Sequence, residues 1–159
     1  MQAEHQEYWD FPDAKLVKYV QLLSAGIRLH AKRYGLHHYF TLGETGFDGN
    51  PDHIATHYAA LEAQARLAEV GHFIAIWALA APGQSCDLVV PACSTPKLKA
   101  LAHHQTQMPL QRDPHGVLHV TDMAHWSTFV RTHREVLFEK ERYQIITVRR
   151  QLGAIALDL

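Results

Sequence analysis

Cysteine and charge are both scarce in this 159-residue chain, and each scarcity removes a class of protein. Cysteine occurs twice, at Cys86 and Cys93. Two are too few for a disulfide framework at this length, so reduced thiols in a cytoplasm are expected. Charged residues make up 19% of the chain, and 15 basic side chains nearly cancel 16 acidic ones. Such a balance creates no whole-molecule field that favours nucleic acid or an anionic membrane. No apolar run reaches the roughly eighteen residues that a membrane span needs. The first ten residues have neither a basic start nor an apolar core of the secretory type. A soluble, unexported, cytoplasmic protein with no membrane association is the expectation.

Several motifs are missing too. The phosphate loop Gly-x-x-x-x-Gly-Lys-Ser/Thr, the dinucleotide fingerprint Gly-x-Gly-x-x-Gly after a strand, and the Gly-x-Ser-x-Gly elbow do not occur. These absences count against nucleotide-dependent enzymes and α/β-hydrolases, and no cofactor is expected. His119-Val120-Thr121 resembles one half of the paired His-x-Thr signature of two-histidine phosphoesterases. The second tripeptide is absent, and Thr121 or Asp122 reads as a helix cap.

What the chain does hold is a substantial apolar content, 47%, enough for one good core and short of two ordinary domains. Residues 50–91 organise the rest. Asn50, Pro51 and Asp52 suit a helix start and Gly71 a helix stop. Between them Ile54, Tyr58, Leu61, Ala65 and Ala68 recur at steps of four and three, the spacing of one helical stripe. Residues 73–81 lack polar alternation and predict a central strand covered on both faces. Pro82-Gly83-Gln84-Ser85 then turns the chain, so residues 86–90 are expected to return as the antiparallel partner.

On either side the pattern is mixed. A helix is expected from Pro12 or Asp13, with Leu16, Val20, Leu23, Ile27, His30 and Tyr34 inward and Gly35 ending it. Gly26 within that helix implies a close neighbour. Residues 36–42 read as a strand, Ser94-Thr95-Pro96 as a hydroxyl-capped short helix, residues 105–116 as an irregular loop, and 117–120 as a strand. Met123, Trp126, Val130, His133 and Leu137 form the stripe of a further helix whose end, at 136–138, reads equally as a strand start. Residues 143–148 and 152–159 read as closing strands. The expected architecture is α+β, one layer-type domain over residues 12–159 preceded by an arm at 1–11. A mixed or mostly antiparallel sheet packs with about four helices.

Histidine is abundant, with 13 residues, and with a pI near 6.9 the net charge changes sign close to neutrality. His53 and His57, four apart, project from one helix face, and His37, His38 and Asp48, with Glu44, lie upstream. These form a candidate Zn or Mn set for a metal-dependent hydrolase, although Ile54 stands where the helical zinc signature needs glutamate. Asp48, Asn50 and Asp52 begin like a calcium loop, but His53 and Ala59 occupy its glycine and glutamate positions. Cys93, ahead of a helix, with His119 as base and Asp122 to orient it, is a candidate Cys-His hydrolase or transferase site. Nearly every polar residue at an element boundary also has a structural explanation. The leading expectation is therefore a non-catalytic binding module whose partner is another protein, reached through loop 105–116, the Tyr8-Trp9-Phe11 arm or an uncovered sheet face. Nucleic acid lacks support because acidic residues dilute every basic cluster.

Overall fold

The computed structural model describes residues 7–102, 110–115 and 117–148, and within them the chain is α+β with a mixed sheet. In chain order the elements are a 3-10 turn (Leu16–Tyr19), α1 (Val20–Tyr34), β1 (His38–Leu42), α2 (Pro51–Ala68), β2 (Ala75–Leu79) and β3 (Leu88–Pro91). They are followed by α3 (Ser94–Leu101), β4 (Leu110–Arg112), β5 (Leu118–Val120), α4 (Met123–Arg134), a π-helical turn (Glu135–Glu139) and β6 (Lys140–Ile146). No helix among the described residues is long and apolar enough to cross a membrane. Two compact units form: the chain up to Asp87 together with the chain from Tyr143, and Leu88–Arg142.

In the first unit α1 buries Leu23 and Ile27 of the face that the sequence marks, together with Ser24 and Ala31, and ends at Gly35 in the left-handed conformation (φ 60°). Its start lies later than Pro12 or Asp13. The backbone N–H groups of Ala14 and Leu16 donate to the Asp52 carboxylate at 2.7 and 2.9 Å, so the first turn begins where that carboxylate caps it. Gly26 has its expected neighbour: a Cβ there would lie 2.5 Å from Cη2 of Trp9. The arm's indole therefore rests directly on the α1 backbone.

α2 begins as its sequence predicts, with the Asn50 side chain accepting from Asp52 N at 2.9 Å. Its inward face is different. The buried residues are Ala55, His57, Ala59, Ala60, Ala63, Gln64 and Leu67, whereas Tyr58 is 53% exposed. Alanine on this side lets Leu23 and Ile27 of α1 and Ile76 and Ala78 of β2 join Ala59, Ala60 and Ala63 in one cluster. Shape outweighs hydrophobic bulk there. Gln64, fully buried, donates through Nε2 to the carbonyls of Ile74 and Ile146, both at 2.8 Å, and ties α2 to two strands.

β2 is central, parallel to β1 (Phe40 opposite Trp77) and antiparallel to β6 (Trp77 opposite Ile145). The expected hairpin between residues 73–81 and 86–90 is overturned: β6 takes the place beside β2. The turn still forms, with Gln84 N donating to Ala81 O. Asp87 beyond it bonds to β6, its N–H donating to Tyr143 O and its carboxylate accepting from Ile145 N, both at 2.8 Å. A non-local strand has displaced the local one. β2 is also not covered on both faces. Ile74, Ile76, Ala78 and Ala80 are buried, while Ala75, Trp77 and Leu79 are only half-buried.

In the second unit the first residues of β6 run beside β3, and Ala92 N donates to Glu139 O. α3 has Cys93 at its N-cap without a side-chain cap bond, so the hydroxyl cap expected at Ser94 or Thr95 does not form. Part of the expected loop is a hairpin: β4 and β5 pair antiparallel, with Gln111 opposite His119. Residues 103–109 and Gly116 lie outside the described residues, as does the expected strand 152–159. Asp122 caps α4 by accepting from His125 N at 3.0 Å. The expected α4 stripe buries only Leu137, and Met123 stays 65% exposed. Residues 136–138 are helical, in the π turn, and the strand starts at Lys140. Arg142 donates to Glu135 at 2.8 Å, and Lys97 pairs with Glu141.

Candidate functional site

The histidines that the sequence singles out are bound one by one to their own neighbours. His37 and His72 stack with centroids 5.5 Å apart, and each bonds a carbonyl of the other's segment: His37 Nδ1 with Phe73 O, His72 Nε2 with Leu36 O. Only a ring N–H can serve a carbonyl, so both donors are fixed. His38 Nδ1 accepts from Trp77 Nε1 at 3.0 Å. His53 Nδ1 meets Gly46 O and Asp48 Oδ1, each at 3.1 Å, and is the one histidine of the set in contact with Asp48. His57, 3% exposed, bonds Leu42 O at 2.9 Å. Burial lowers the His57 pKa against the opposing pull of that carbonyl and of Glu44. Among the described residues no three His, Cys, Asp or Glu side chains converge on a point that could hold a metal ion. Within the calcium-like stretch, Asp48 accepts from Asn50 N and Asp52 from Ala14 and Leu16 N, so their oxygens serve backbone turns.

The cysteine set is placed as follows. Cys93 is exposed at the α3 N-cap. His119 lies on β5 and bonds Asp113 at 3.1 Å, while Asp122 serves as the α4 cap. Asp113 Oδ1 also accepts from His115 N and Val117 N, closing the hairpin loop. The hydrogen bond from His119, followed by those backbone bonds, lowers the Asp113 pKa.

The largest open chemistry in the first unit is aromatic. Side chains alternate across strands, so the registers place His38 and Phe40 of β1, Ala75, Trp77 and Leu79 of β2, and Tyr143 and Ile145 of β6 on the sheet face away from the core. Phe40 stacks on Trp77 (5.5 Å, 24°) and meets the edge of Tyr143 (5.8 Å, 85°). Phe40 is nevertheless 63% exposed, and Phe73, just before β2, is 61% exposed.

No family model, curated protein or solved structure matches this chain. The geometry alone therefore has to say what the face can do. None of the side chains named here carries a fixed charge, and the Trp77–His38 bond removes the indole donor from competition. What remains is an apolar platform suited to burying a partner's apolar groups. The sequence did not isolate it. Tyr39 and Phe40, adjacent on β1, point to opposite faces, so both faces read as aromatic and the periodicity is silent about which is open.

Proposed function

We propose that the chain is a non-catalytic cytoplasmic binding module that docks a protein partner on the face formed by His38, Phe40, Trp77 and Tyr143. The observation that supports this reading is Phe40, a large apolar side chain held in a stacked geometry and yet 63% exposed. Burying the exposed part of such a ring contributes about 1–2 kcal/mol, the size expected of a residue that matters in an interface. None of these four side chains is a lysine or arginine, which favours protein over nucleic acid, whose phosphates need cations.

A photo-crosslinking residue at position 40, compared with one at Leu29, which is 63% exposed on α1, tests the reading. A protein adduct formed from position 40 alone, and lost on Trp77→Ala, supports it. Equal adducts from both positions, or turnover of a substrate by the isolated chain that survives Phe40→Asp, overturns it.

A further inference from the structure

On the other side of the sheet a cavity of about 780 Å³ is lined by Glu7, Trp9, Ile27, His30, Tyr34, Leu36 and Tyr39. That volume lies in the range of small-ligand sites. Its walls are mostly rings. Trp9 meets His30 edge-on at 5.4 Å, and His30 is tilted against Tyr34 at 5.7 Å. Among the described lining residues the carboxylate is that of Glu7, held in place by His30 Nε2 at 2.8 Å and Trp9 Nε1 at 3.4 Å. The Arg33 guanidinium lies 5.3 Å from the Tyr34 ring centroid, and Arg33 is not among the described cavity-lining residues.

We infer that this cavity is a binding site for a methylated ammonium group. Ring faces carry negative charge density, and a cation shielded by methyl groups loses little hydration on reaching them. A bare ammonium brings three donors, each needing an acceptor once buried. Here the aliphatic Ile27 and Leu36 and the ring faces offer none, and Glu7 Oε2 is already shared by His30 and Trp9, which leaves Glu7 Oε1 and the phenol oxygens of Tyr34 and Tyr39 as the acceptors among the described lining residues. The Glu7 carboxylate supplies the long-range attraction, and the rings supply the preference for methyl over hydrogen. The site stands apart from the sheet face proposed above, because Tyr39 points to the core side of β1 while Phe40 points away from it.

Calorimetric titration of the full chain with choline, with ethanolamine, and with a short peptide carrying either trimethyllysine or lysine tests the assignment. The methylated member of at least one pair should bind saturably and about tenfold or more tighter than its unmethylated counterpart. Choline binding would identify a free small cation; binding of the methylated peptide alone would identify a side chain. Glu7→Gln keeps the side-chain shape and removes the charge, and Tyr34→Leu removes a ring. Each should weaken binding about tenfold while the chain stays folded by circular dichroism. The assignment is overturned if neither methylated probe binds at millimolar concentration, if the unmethylated probes bind equally, or if both variants keep full affinity.

Discussion

Replacing Gly26 by alanine sets two effects of opposite sign against each other, and the structure decides which wins. In an open helix the change would stabilise by about 1 kcal/mol, since glycine costs that much in a helix interior. Here the new methyl would fall 2.5, 2.8 and 3.0 Å from three atoms of the Trp9 six-membered ring. The α1 backbone cannot retreat, because Leu23 and Ile27 are fixed in the core on either side of position 26. The indole must leave. Half of a tryptophan's roughly 200 Å² at about 25 cal/mol per Å² comes to about 2.5 kcal/mol, and losing the His30 and Phe11 ring contacts adds about 1. Against the helix gain, Gly26→Ala should destabilise by about 2–2.5 kcal/mol, roughly 4–10 °C in Tm for a chain of this length. In a Trp9→Ala background the same change should stabilise by about 1 kcal/mol. Denaturant titration of the four proteins in this cycle reads both numbers. A Gly26→Ala protein more stable than the parent would refute the packing of Trp9 on α1 and, with it, one wall of the cavity.

Three further outcomes follow from particular bonds. Asp52→Ala removes the acceptor of two backbone N–H groups thirty-odd residues away and should cost about 2–3 kcal/mol, with Asp52→Asn costing less; equal stability of the parent and Asp52→Ala in urea would contradict the cap. Burial lowers the His57 pKa from its ordinary 6.5, so the unfolded chain takes up a proton first as pH falls. The contribution of His57 is then fully present above about pH 6.5 and is lost as pH drops through the folded value, and His57→Gln should flatten the stability–pH curve over that window. His119→Gln should raise the Asp113 pKa towards its ordinary value, since the His119 hydrogen bond is the largest cause of its lowering; a carboxyl NMR titration that shows no change would mean the pair does not form.

What could be read from the residues was local. Gly35, Asn50-Pro51 and Asp122 end or start helices through bonds spanning a few positions, and Gly26 announced its neighbour because a glycine inside a helix needs a reason. The parts that escaped are those where distant pieces of chain compete. Residues 86–90 looked like the partner of residues 73–81 because the turn between them is good, yet nothing near the turn reveals that Tyr143–Ile146 fits the same edge. The α2 face was misjudged in part, Leu61 still packing on the core, because Ile54 and Tyr58 are bulkier than Ala55 and Ala59, and only the packing of α1 makes small size the advantage. For the candidate sites, spacing placed His53 and His57 on one helix, but the backbone carbonyls that claim their rings, Gly46 and Leu42, are supplied by the tertiary fold.

The pairing of Leu79 with Tyr143 has a bearing on synthesis. The parallel β1–β2 pair is translated early, but the strand that seals the other edge of β2 emerges some sixty residues later. At roughly 5–20 residues per second that edge waits several seconds on the ribosome. During that wait the nascent chain presents an unpaired row of amides flanked by Ile76 and Trp77, an edge that a chaperone's shelter would protect.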